Sequence, residues 1–168
     1  MIIEFGKDSV DDENFVERTN FFKKGERFIL YHGSSSLFLD DILKDGLKPR
    51  KFTGNSTYQD RKGSLIKSLE SNPDLIYFGK DGWSRTLGNQ AVHRFGGELV
   101  VYRVLLSRNG LVPDEDSNKN CAIESLAWEW SVAHKGMISP SNILGYFDKN
   151  NIYTSINKDP DNIVTYTE

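Results

Sequence analysis

The order of apolar runs along this 168-residue chain predicts an α+β fold in a single domain spanning residues 1–168. Three observations carry that expectation. Two short aliphatic and aromatic runs, residues 28–35 and 74–79, and a long β-branched run at 98–106 have strand character. Segments 37–49 and 81–92 carry apolar positions at helical spacing, and Gly46 and Pro49 supply the stop for the first. The length suffices for one hydrophobic core and is too short for two comfortable ones.

Taken in order, residues 1–27 are charge-rich and read as an amino-terminal cap, with a short helix at 14–22 that puts Phe15, Arg18, Thr19 and Phe22 on one face. The run Phe28-Ile29-Leu30-Tyr31 then stops on His32, Gly33, Ser34 and Ser35. A polar turn there leaves backbone N–H groups unpaired beside an imidazole, which suits a flat amide or a ribose. Residues 50–71 are polar and basic, with Arg50, Lys51, Arg61, Lys62 and Lys67. They read as a solvated loop with a short helix at 64–69, or as a lid over a phosphate-bearing ligand. The second strand, Leu75-Ile76-Tyr77-Phe78, ends on Gly79, and the run at 98–106 is the central strand, buried on both faces. Residues 110–120 form an acidic loop. In the segment 122–132, Trp128 to Val132 alternates as a strand does, whereas Glu124 is placed to begin a helix. A proline-marked turn at Pro140 leads into a strand at 143–147. Asp159-Pro160-Asp161-Asn162, between two apolar runs, reads as the turn of a closing hairpin over residues 148–168.

Composition narrows the function classes. A net charge of −3 and a pI near 5.7 argue against a surface that grips nucleic acid all over, and leave room for a local basic patch. No window approaches the roughly 20 apolar residues of a membrane span. The first residues have no basic-then-apolar leader, so the expected location is cytoplasmic, with no membrane partner. Cys121 is the only cysteine, which excludes an internal disulfide and a thiolate metal cluster; no neighbouring histidine or cation activates it. His93 and His134 stand at no metal-binding spacing and read as surface residues, so no metal is expected.

The motifs that carry chemistry fall at strand ends: Tyr31-His32-Gly33-Ser34, then Ile42-Leu43 before Gly46-Leu47 and Pro49, then Ile76-Tyr77-Phe78-Gly79, then a valine-rich strand, then a glutamate ahead of Gly136-Met137-Ile138-Ser139-Pro140. In this order they resemble the ADP-ribosyltransferase superfamily, in the His–Tyr–Glu branch of diphtheria toxin and the poly(ADP-ribose) polymerases, over roughly residues 28–147. The resemblance implies a split β-sheet core with flanking helices and NAD as substrate. It implies that His32 hydrogen-bonds a ribose hydroxyl and that the Gly33 backbone, with Ser34 beside it, clamps the nicotinamide carboxamide. Tyr77 is then the ring stacked on nicotinamide. The catalytic carboxylate is Glu129, preferred, or Glu124. Trp83 is a candidate second wall, Ser84 a candidate carboxamide partner, and Arg50, Arg61 and Lys62 candidate diphosphate contacts. The run from Trp83 to Ala91 departs from the family pattern, which leaves that wall open.

The chemistry is consistent with those residue types. Nicotinamide in NAD is already a cationic leaving group, so the site has only to favour the oxocarbenium-like sugar, which a fixed carboxylate does electrostatically. An aromatic face suits a flat cation, and a glycine backbone admits the amide closely. The implied activity is mono-ADP-ribosyl transfer to a macromolecular acceptor, protein or nucleic acid, in the manner of a bacterial or phage effector or toxin with an inhibitor or antitoxin protein as partner. The rival readings are an NAD-dependent RNA 2′-phosphotransferase and a non-catalytic module that binds ADP-ribose or a partner.

Overall fold

The computed structural model describes residues 1–5, 14–53 and 72–166. The elements are β1 (Ile2–Phe5), α1 (Phe15–Phe22), β2 (Arg27–Ser35), α2 (Leu39–Asp45), α3 (Arg50–Thr53), β3 (Leu75–Gly79) and α4 (Asp81–Phe95). After them come β4 (Leu99–Ser107), β5 (Leu111–Val112), α5 (Ala122–Glu129), β6 (Ser131–Lys135), β7 (Ile143–Phe147), β8 (Tyr153–Ser155) and β9 (Ile163–Tyr166). The class is α+β, as the sequence predicts. The basic residues Arg61, Lys62 and Lys67 and the helix read at 64–69 lie outside the described residues.

One sheet runs β5-β6-β3-β2-β4-β7-β8, with β1 also on β2 and β9 on β1. The β2–β4 pair is its spine, antiparallel from Arg27 opposite Ser107 to Ser35 opposite Leu99. The other edge of β2 is divided between two partners. Its first residues pair in parallel with β1, Ile2 opposite Arg27 to Glu4 opposite Ile29. Further along, β3 joins it through one residue pair, Tyr31 opposite Gly79. On its far side β3 is fully laddered to β6, from Leu75 opposite Lys135 to Gly79 opposite Ser131. Beyond Tyr31 there is therefore a seam, where β2 and β3 run side by side without a ladder.

Alternation along the strands builds the core. Phe28 and Leu30 of β2, Ile76 and Phe78 of β3 and Tyr102 and Val104 of β4 share one buried face, over which α5 lays Ile123, Leu126 and Ala127 and α1 lays Phe22. On α1, Arg18 and Phe22 are buried and Phe15 and Thr19 partly so, the face that the sequence marks out. α2 ends on Gly46, whose φ of +84° a residue with a side chain adopts at a cost.

Five expectations are corrected. β2 does not stop on His32 and Gly33: it continues to Ser35, because β4 is long enough to pair every residue of it. Trp128 and Glu129 are not in a strand. α5 runs through Glu129, since burying Ile123, Leu126 and Ala127 on one face gains more than an alternating pattern five residues long. The carboxyl-terminal residues form no hairpin: β8 pairs with β7, and β9 crosses to pair in parallel with β1. The intervening segment passes the opposite face of the sheet, where Arg103 holds Asp159, and the β1 edge takes up β9 over four residue pairs. Finally, residues 1–27 are not only a cap, since Ile2–Phe5 is a sheet strand. The segment read as an acidic loop at 110–120 also contributes the short strand β5.

Arg103 of β4 is the polar centre of the opposite face. Its Nε and Nη2 donate to the two carboxylate oxygens of Glu4 at 2.5 and 2.9 Å, and its Nη1 donates to Asp159 at 2.7 Å. Tyr31 donates its hydroxyl to the same Glu4 at 2.9 Å. One guanidinium thus ties β1, β2, β4 and the segment before β9.

Candidate functional site

The seam collects most of the residues that the sequence singles out. His32 stands one residue past the Tyr31–Gly79 pair. Its side chain lies on the buried face, with the rings of Phe78 at 5.5 Å and Tyr102 at 6.5 Å between centroids. Its Nδ1 lies 2.7 Å from the carbonyl oxygen of Tyr77, a bond that crosses the seam in place of a ladder bond. An Nδ1–H donor leaves Nε2 as the free acceptor. Removal from water lowers the imidazole pKa below its usual 6.5, and the Tyr77 carbonyl opposes that shift.

Gly33 is packed against α4. A methyl group there would lie 1.8 Å from the Ser84 carbonyl oxygen and 2.8 Å from the Gly88 amide nitrogen. Gly88 faces it in turn, its own Cβ position being 3.2 Å from the Gly33 Cα. The two glycines let helix and strand approach to backbone contact, and the fully buried Ser84 fastens that contact by donating its hydroxyl to the Tyr31 carbonyl at 2.8 Å. Ser34 is buried beside them. Trp83 is half-buried, with its ring over Gly79, where a methyl group would lie 2.6 Å from it.

Tyr77 leaves β3 on the side opposite Phe78. Its hydroxyl donates to Glu115, and the amide of Asn72 donates to the phenol oxygen at 2.8 Å. Burial and the Glu115 carboxylate both push the phenol pKa up, burial the more. His32 and Tyr77 are therefore joined through the Tyr77 carbonyl, while their rings project from opposite sides of the seam. Glu115 was not identified from sequence; an exposed glutamate in an acidic loop gives no signal for a partner 38 residues away.

Glu129 is the last residue of α5, exposed, two positions before the Ser131 that pairs with Gly79. It forms no hydrogen bond or ion pair with a described residue. Glu124, in the first turn of the same helix, is partly buried and likewise unbonded. What is fixed is the turn that carries Glu129. Trp130, nearly buried, has φ +58° and ψ +17°, a left-handed conformation rare for an aromatic residue. Arg18 of α1, fully buried, places its guanidinium 4.0 Å from the Trp130 ring centroid and donates Nε to the Ala127 carbonyl. Lys80 reaches the same ring at 4.5 Å and donates its amide to the Trp130 carbonyl at 3.1 Å. Phe15 stacks on Trp128 at 4.4 Å. Arg18 belonged to the face read for α1, but nothing in the sequence connects it with a turn more than 100 residues later.

The remaining candidates are dispersed. His93 is exposed on α4, and His134, expected at the surface, is half-buried in β6 against Gly110. Cys121 is exposed ahead of α5, Arg50 lies in α3, and Arg61 and Lys62 fall outside the described residues. Among the described residues no group of three or more His, Cys, Asp or Glu side chains is placed to hold a metal ion, and no helix is long and apolar enough to cross a membrane.

The chain matches no protein-family model and no curated protein. Among solved structures it is similar to EcPltA, with 14% identity and a TM-score of 0.46 over 83% of this chain and 91% of that one. The class defined by the coordinates is an α+β fold with a seam in its sheet.

Proposed function

We propose that this chain is an NAD-dependent mono-ADP-ribosyltransferase whose substrate lies at the seam between β2 and β3. The observation that carries the reading is the single Tyr31–Gly79 pair, past which the sheet parts and His32 spans the opening to the Tyr77 carbonyl. A seam of this kind supports the split-sheet core that the sequence resemblance implies. A ligand lodged in it meets groups from both faces.

In this reading His32, with Nδ1–H committed to Tyr77, presents Nε2 as acceptor to a ribose hydroxyl. Its lowered pKa keeps it neutral at pH 7 and fit to accept. The Gly33 backbone edge that β3 leaves unladdered meets the carboxamide, with Ser34 and Ser84 packed next to it. Tyr77 supplies a ring anchored by Glu115, and Trp83 a second aromatic surface. Glu129, on the turn held by Arg18 and Lys80, stabilises the positive charge that develops on the ribose as the C–N bond to nicotinamide breaks. The acceptor, a nucleophilic group of a protein or a nucleic acid, then takes the ADP-ribosyl group and releases its proton.

The test is nicotinamide release from NAD, with and without cell lysate as acceptor. The expected result is release that falls at least 100-fold in Glu129→Gln and persists in Glu124→Gln. A wild-type protein that releases no nicotinamide under either condition refutes the proposal.

A further inference from the structure

A second feature lies at the other end of β2, where α1 stops and the β2–β4 pair begins. A cleft of about 530 Å³ is lined there by Lys23, Lys24, Glu26, Arg27, Arg108 and backbone around Gly25. Four of these side chains are cationic and one is a carboxylate. The Glu26 carboxylate faces the amino-terminal ammonium at 3.8 Å, and none of the four cations pairs with a carboxylate among the described residues. In a chain of net charge −3, this is a local excess of positive charge that nothing in the described structure neutralises.

We infer that this cleft binds the phosphodiester backbone of a nucleic-acid strand. The hydrogen-bond pattern decides between a strand and a small anion. A backbone nest for a discrete phosphate presents converging N–H groups. Here those groups are already engaged: Lys23 donates its amide to Thr19, Lys24 to Phe21, Gly25 to Phe22, Glu26 and Arg27 to Met1, and Arg108 to Glu26. Only side-chain charges remain. Arg108 is held in place by donating Nη1 to the Lys23 carbonyl at 2.8 Å, while Lys23, Lys24 and Arg27 are exposed and uncommitted. Point charges spread along a polar cleft, with no aromatic side chain among the described residues that line it, suit sequence-independent contact to a strand of phosphates. The concave shape disfavours a flat bilayer surface. Arg27 is five residues before His32 on one strand, roughly 17 Å away at about 3.3 Å per residue, so a bound strand passes within reach of the seam.

The test needs no NAD, so it succeeds or fails independently of the proposed chemistry. Binding of fluorescein-labelled 12-nucleotide RNA and DNA is followed by anisotropy. Three or four neutralised phosphates give a slope of log K against log salt of about −2 to −3, a fall of about 20- to 50-fold between 50 and 200 mM salt. Lys23→Glu with Lys24→Glu should weaken binding at least 10-fold and flatten that slope. Lys44→Glu with Lys135→Glu, the same charge change on α2 and β6 away from the cleft, should leave the slope intact. All four positions are exposed, and circular dichroism is the check that each variant folds. No binding at 50 mM salt, or equal losses in both double variants, overturns the inference. So does competition by micromolar pyrophosphate, which marks a small-anion site, or preferential binding to vesicles of anionic lipid.

Discussion

Replacing Gly33 by alanine should damage the fold itself, with or without any ligand. The added Cβ falls 1.8 Å from the Ser84 carbonyl oxygen and 2.8 Å from the Gly88 amide, both backbone atoms of a helix. Ordinary contact begins near 3.4 Å, so α4 must retreat by well over an ångström. No rotamer change relieves the overlap. Overpacking of this kind costs about 1–3 kcal/mol, and withdrawal of α4 adds about 1 kcal/mol for the Ser84–Tyr31 hydrogen bond. The expected destabilisation is therefore about 3 kcal/mol. For a domain of this size that is a drop in Tm of about 6–12 °C. Urea unfolding followed by tryptophan fluorescence measures it directly. Gly88→Ala is the companion: its nearest obstacle is the Leu99 side chain at 2.4 Å, which can turn aside, so about half the loss is expected. A Gly33→Ala protein within 0.5 kcal/mol of wild type, by the same ~1 kcal/mol scale, would refute the claim that helix and strand meet backbone to backbone.

Three further outcomes are expected. Arg103→Met strands the Glu4 carboxylate on a nearly buried face and should cost about 3–5 kcal/mol, whereas Asp159→Asn, at a half-exposed carboxylate, should cost under about 1 kcal/mol; chemical denaturation of both variants ranks them. Burial holds the pKa of His32 below that of the unfolded chain, so below about pH 6.5 the unfolded state binds the extra proton and stability falls on acidification, by up to about 1.4 kcal/mol per pH unit. His134 is lowered too and adds to that slope, so His32→Gln should flatten the urea midpoint between pH 7.5 and 5 only in part; an unchanged slope would sink the assignment. Arg18→Met should leave the Ala127 carbonyl without its donor and lose the contact with Trp130, a destabilisation of about 2–4 kcal/mol by thermal melt, whereas Arg108→Met, exposed, should cost under about 1 kcal/mol.

Much of this fold was legible in the sequence because its information is local. β3, β4 and α4 announce themselves by period and by the residues that end them, and Gly46 by its place after a helical run. The failures share one cause. Trp128 to Val132 alternates convincingly over five residues, but the decision belonged to Ile123 and Leu126, which had a core to enter. Asp159-Pro160-Asp161-Asn162 has the chemistry of a turn, yet the strand after it pairs with β1, far away in the sequence, rather than with β8. The site divides in the same way. His32 and Gly33 are visible as a motif, while the single-pair seam beside them, the Glu115 anchor on Tyr77 and the Arg18 buttress under Trp130 join residues far apart in the chain.

The parallel pairing of β1 with β9 has a consequence for synthesis. β1 enters the sheet early, beside β2, yet its second neighbour is the stretch from Ile163 to Tyr166. While the chain emerges from a ribosome, that edge of β1 stays open until Ile163–Tyr166 appear, and such edges invite pairing with other chains. A chain that stops after Ser155 should therefore hold most of its core and still self-associate through the apolar edge of β1, whereas with β9 in place the edge falls on a strand whose side chains are largely solvent-facing.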